Sequence, residues 1–186
     1  MIGFGFQEVL TFMMTNQEKV FSKMNQAVTD LVEVSNPKFI TMRCLRPELL
    51  SCLLEFLSNN THVQYPQSIF EVGDCTVWSG EQPDDIRKLC CMSAHARANF
   101  TEAKSILEPL MLNLGFEFTL NPISHPSFLE GRVGQVIVEA NQVGLIGEIH
   151  PRVLENWNLE DPVAAMELDL SKLLTMRMNG NAGEAP

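Results

Sequence analysis

A chain of 186 residues that is 45% hydrophobic suits one domain, able to bury roughly two-thirds of the surface its unfolded form exposes. Its 13 Lys and Arg against 23 Asp and Glu give a net charge of −10. Scattered cations in that balance exclude tight binding of RNA or DNA by this domain, because such affinity comes largely from Lys and Arg displacing counterions.

No apolar run approaches the roughly 20 residues of a membrane span, and no leader pattern opens the chain. The five cysteines (Cys44, Cys52, Cys75, Cys90, Cys91) are odd in number and lack CxxC spacing. That argues against a disulfide framework and a zinc knuckle, and predicts a soluble, cytoplasmic domain with reduced, buried thiols.

EVLTFMM, Glu8 to Met14, predicts a strand, and Thr15 with Glu18 three residues on predicts a capped short helix to about Lys23. Pro37 in SNPK breaks any regular element and biases Asn36 toward extended geometry. RPELLSCLLEFLSNN predicts a helix with Pro47 in its first turn and Glu48 at the positive end of the dipole. Leu49, Leu50, Leu53, Leu54 and Leu57 form its apolar stripe. SIFEVGDCTVW predicts a strand bulged at Gly73, and IRKLCCMSAHA a second strand buried on part of both faces.

Asn99 to Gly115 predict a helix with Asn99 as cap, Glu102 at the third position and Gly115 as terminator. Pro109 inside it predicts a kink or a split. FEFTL restarts a strand, and VGQVIVEA and VGLIGEIH form a hairpin joined at Asn141 and Gln142. Pro151 opens a short helix, VAAMELDL is a last strand, and SKLL starts a closing helix. The domain thus spans residues 1–177, and a frayed tail follows over 178–186. Strands outnumber βαβ units, which predicts an α+β fold with an antiparallel or mixed sheet flanked by helices.

In GLIGEIHP, Gly144 and Gly147 sit within a strand, where glycine marks a bulge or close packing rather than a phosphate cradle. Glu148 and His150, two apart, suit a metal half-site or an acid/base pair. No third ligand or nucleophile converges on them in the sequence, since His62, His95 and His125 stand in unrelated contexts. The alternative is that His150 caps the Pro151 helix while Glu148 makes a structural hydrogen bond or an ion pair, with Arg152 the candidate. Ser124, His125 and Ser127 have no assignable acid partner, and Cys90 and Cys91 lie in an apolar strand where burial silences a thiol. Phe4, Phe6 and Phe12 read as core or interface.

GFQEVLTF, VSNP, MRCLRPELLSCLLEFL, IFEVGD, GLIGEIHP and MELDL, in this order from Gly3 to Leu174, resemble the C-terminal catalytic-like module of phenylalanyl-tRNA synthetase beta subunits of archaeal and eukaryotic type. The signature residues are Asn36, Pro37, Arg46, Glu71, Gly73, Gly147, Glu148, His150 and Pro151. The resemblance implies a class II aminoacyl-tRNA synthetase-like fold and a copy without catalytic, cofactor or metal residues. Class II adenylation neutralises ATP phosphates with arginines backed by magnesium. YPQSIFEVGD has Gln67 and no arginine, and AAMELDLSKL has neither arginine nor glycine.

By the same resemblance, a catalytic alpha subunit uses ATP and magnesium to attach phenylalanine to tRNA, and this module pairs with it. Contact with tRNA comes only through the whole enzyme, and neither DNA nor a membrane is a partner. A permanent partner surface implies exposed apolar residues. Met1 directly ahead of the first strand reads as the edge of an excised fragment. Two other readings stay open: a self-standing enzyme using Glu148 and His150 with a Cys or Ser nucleophile, and a small-ligand module that keeps the adenylate-shaped hollow.

Overall fold

The computed structural model describes residues 1–39 and 41–182. Its elements in chain order are β1 (Gln7–Glu8), β2 (Met14–Thr15), β3 (Cys44–Leu45), α1 (Leu50–Asn59), β4 (Gln67–Ser79), β5 (Gln82–Ala94), α2 (Phe100–Leu114), β6 (Thr119–Pro122), β7 (Phe128–Val138), β8 (Asn141–Ile149), α3 (Pro151–Asn156), β9 (Val163–Asp169) and α4 (Leu170–Ala182). Among the described residues, seven strands form one mixed sheet in the order β1-β4-β5-β9-β8-β7-β6, in which only the β1–β4 pair is parallel. β2 and β3 make a separate antiparallel pair.

The period of two along the long strands divides the core into two layers. On one face Ile69, Cys75, Cys90, Met92 and Ala165 meet the α1 leucines together with Phe128, Val153 and Trp157. On the other, Phe70, Leu89, Cys91, Ala164, Met166 and Leu168 meet Ala103, Leu107, Leu110 and Met111 of α2 and Leu173 of α4. Leu50, Leu53, Leu54 and Leu57 are buried on one side of α1, so the predicted stripe is core.

At both ends of α2 and at the start of α3 the local signal reads correctly. Asn99 caps α2 by accepting from the Glu102 amide, and Gly115 ends it with φ 78°. Pro151 opens α3.

Several boundaries differ for physical reasons. Glu8 to Met14 is not one strand: β1 pairs with β4 while β2 turns away to pair with β3. Thr15 belongs to β2, and the Asn16 side chain instead accepts from the Lys19 amide to start a π-helical turn over Glu18–Ser22. α1 begins at Leu50 rather than Pro47, because the Leu49 and Leu50 amides are taken by the Glu167 carboxylate, 118 and 117 residues away. The β4–β5 register is unbroken from Gln67 opposite Ala94 to Ser79 opposite Gln82, so Gly73 is no bulge.

The β7–β8 turn falls on Glu139 and Ala140, both with positive φ, rather than on Asn141 and Gln142. α2 continues through Pro109 without splitting. The carbonyl that loses its bond belongs to Ser105, an exposed residue, so the group faces solvent rather than the core. α4 runs to Ala182, past the Met178 boundary expected for the tail, and residues 183–186 of that expectation lie outside the described residues.

Candidate functional site

The α1-covered face of the sheet concentrates the chain's buried charge. Arg46, only 2% exposed, leaves the β3–α1 link and lies across β4. Its Nη1 is 2.8 Å from Glu71 Oε1 and donates to Thr11 Oγ1 at 2.7 Å, while Nε donates to the Asp74 carbonyl at 2.9 Å. Thr11 Oγ1 in turn donates to Glu71 Oε2 at 2.6 Å. Gly73 is required because a Cβ there would overlap the Arg46 guanidinium and the Glu71 carboxylate. Burial, the largest single influence, lowers the Arg46 pKa, but the charge and hydrogen bond of Glu71, with smaller help from Cys52 and Cys75, together hold the guanidinium above its ordinary value.

A second pair lies further along the same face. Lys88 Nζ donates to Glu167 Oε1 at 2.8 Å, and Glu167 Oε2 accepts from Leu49 N at 2.7 Å and Leu50 N at 3.2 Å. Burial opposes the Lys88 charge, and Glu167 more than restores it, so this pKa also rises. A side chain from β9 thereby caps α1 and binds a cation of β5 at once.

Among the signature residues, Arg46, Glu71 and Gly73 converge at one point, whereas Asn36 and Pro37 lie apart, on the excursion between Glu33 and its bridge partner Cys44. At Gly147 a Cβ would overlap the Phe128 ring and the Arg132 carbonyl, and at Gly144 it would meet Glu167 and Leu168, so both are packing glycines. Glu148 and His150 do not form a pair: each holds the start of a different helix. Glu148 Oε1 accepts from the Phe100 amide at 2.8 Å, starting α2, and its ionic neighbour is Arg132 at 3.7 Å rather than Arg152. His150 lies beyond β8, and its Nδ1 accepts from the Arg152 amide at 3.1 Å, starting α3 beside Pro151.

The nucleophile candidates are likewise engaged. Ser127 Oγ donates to the Met24 carbonyl at 2.6 Å and accepts from Gln26, and His125 Nδ1 accepts from the Ser127 amide. All five cysteines are buried, and burial drives the Cys91 thiol up to about 12 and Cys90 well above its ordinary value. Gln67, where an arginine is absent, donates to the carbonyls of Asn60 and Val63 and so closes the end of α1. No group of three or more His, Cys, Asp or Glu among the described residues is arranged to hold a metal. Local reading missed Thr11, Lys88 and Glu167, and gave Glu48 only a place at the positive end of the helix dipole. The available signal was a charged residue, Glu167, inside the apolar run of β9.

Phe6 is core, but Phe12 is 78% and Leu10 83% exposed. Together with Met42 and Phe56 they edge a groove of about 270 Å³ over Cys52 and Glu55 on the outer side of α1.

The sequence profile described as the phenylalanyl tRNA synthetase beta chain CLM domain matches residues 1–170. The chain belongs to this family. It is 50% identical over 173 residues to the phenylalanine–tRNA ligase beta subunit of Thermococcus sibiricus, covering 91% of this chain and 31% of that protein. Against the beta subunit of Pyrococcus abyssi it is 48% identical over 176 residues, covering 93% and 32%. The chain therefore spans about a third of the length of these beta subunits.

A pyrrolysyl-tRNA synthetase from Desulfitobacterium hafniense superposes with a TM-score of 0.74 at 20% identity, over 96% of this chain and 65% of that one. The beta-chain family member thus has the mixed sheet and flanking helices of a class II-type synthetase fold. None of its described helices is long and apolar enough to cross a membrane.

Proposed function

We propose that this domain is a non-catalytic module of a phenylalanine–tRNA ligase beta subunit that pairs with the catalytic alpha subunit. The observation that carries this reading is the neutralisation of Arg46 by Glu71 and Lys88 by Glu167 on the sheet face that α1 fills. A magnesium-bound triphosphate needs cations free to meet developing charge, and a buried cation already matched by a carboxylate supplies none. This donor set does not fit the nucleotide. ATP, magnesium and phenylalanine belong to the partner, and tRNA reaches the module only through the whole cytoplasmic enzyme.

The exposed Leu10 and Phe12, which edge one groove with Met42 and Phe56, support pairing, since large apolar groups gathered at one place gain by being covered. Co-expression with a tagged archaeal phenylalanine–tRNA ligase alpha subunit tests the reading. The chain should co-purify with it, and changing Leu10→Asp and Phe12→Asp together should reduce recovery at least tenfold while circular dichroism stays unchanged. A folded chain that never associates with the alpha subunit removes the proposal.

A further inference from the structure

Glu48 precedes α1 and shares its surroundings with Glu167, but the two carboxylates are treated very differently. Three donors, the Leu49 and Leu50 amides and Lys88 Nζ, all go to Glu167. Glu48 Oε1 is fully buried with no hydrogen-bond partner, as is Ser51 Oγ one turn into the helix. An ionised carboxylate with a buried oxygen and no donor is costly, whereas a protonated carboxyl carries its own donor. Lys88 supplies one positive charge for two carboxyl groups. The balance closes when one of the two is protonated, and the one whose Oε1 lacks a partner is Glu48, toward which Gln26 and Ser51 turn with less effect than burial and the Glu167 charge. A cavity of about 330 Å³, lined by Glu48, Lys88, Gln26, Asp30 and Thr76, opens beside the cluster and gives water a route to it.

We propose that Glu48 carries a proton beside the Lys88–Glu167 pair, and that this proton locks the start of α1 onto the sheet, making the docking of α1 pH-sensitive. Burial first, then the Glu167 charge, pushes Glu48 up from the ordinary 4.5 to about 7, against the pull of Lys88. With the folded value raised, the stabilisation is fully present below pH 4.5 and is lost as pH rises through about 7. The groups facing Glu48 are Glu167 from β9, Lys88 and Cys90 from β5, and Asp30 across the cavity. His125, whose pKa burial lowers, gives an opposite slope near neutrality, so the comparison that isolates Glu48 is with Glu48→Gln.

Carbon-13 NMR of the glutamate carboxyls tests the assignment directly in the 186-residue chain. Glu48 should titrate near pH 7. Hydrogen exchange at the Leu49 and Leu50 amides, taken as a ratio to Glu48→Gln, should quicken toward roughly tenfold per pH unit between 4.5 and 7. A Glu48 carboxyl that titrates below about pH 5, near the unperturbed range, overturns the proposal. So does a Glu48→Gln chain whose exchange keeps the wild-type pH dependence. If Glu48→Gln fails to fold, the wild-type carboxyl titration still decides.

Discussion

Arg46, Glu71 and Gly73 show how far residue types alone carry a reading. Their presence in LRPE and FEVGD marked them, but only the fold brings them together, with Gly73 leaving room for a guanidinium that arrives from 27 positions earlier in the sequence. Local spacing held no trace of that convergence, because the β3–α1 link meets β4 only in the folded chain, where Arg46 bonds the backbone at Asp74 and Thr76. Breaking a buried pair by removing one charge typically costs about 3–5 kcal/mol, since the remaining charge stays buried. Glu71→Gln should therefore lower unfolding free energy by about 3 kcal/mol in a urea titration, while Arg46→Met with Glu71→Leu should cost clearly less. A Glu71→Gln chain within about 0.5 kcal/mol of wild type, the range of an ordinary surface change, contradicts the pair's role. At His150 the stake is smaller: His150→Ala removes the side-chain acceptor for the Arg152 amide and should cost about 1 kcal/mol of thermal stability.

Elements whose ends are written in adjacent residues were legible: the Asn99 cap and Gly115 terminator bound α2 where expected, and Pro151 opened α3. Elements set by distant partners were not. α1 starts where Glu167 caps it, and β1 and β2 separate because each pairs with a different strand. The β7–β8 turn moved two residues because left-handed backbone at Glu139 and Ala140 closes the hairpin against the local preference for asparagine. Pro109 inside α2 is a local conflict tolerated on a continuous helix. Pro109→Ala should raise stability by about 1–3 kcal/mol, because the helix regains a donor and loses a ring clash. A fall in melting temperature on that substitution would show that the proline stabilises the native helix in some other way.

At the scale of the whole molecule, two helical layers close over the sheet, and the face beneath α1 is filled by leucines and two neutralised cations. The class II architecture was legible from the order of short motifs, and the absence of arginine from YPQSIFEVGD and AAMELDLSKL was legible residue by residue. The pairing of the remaining cations was not, because a lysine on β5 and a glutamate on β9 meet only across adjacent strands. A domain with this shape and, among the described residues, no free cation under α1 is expected to hold a partner rather than activate an amino acid. The direct measurement is phenylalanine-dependent exchange of pyrophosphate into ATP by the isolated chain in the presence of magnesium. The prediction is a rate indistinguishable from the protein-free control; exchange that requires phenylalanine and scales with the concentration of this chain would contradict it.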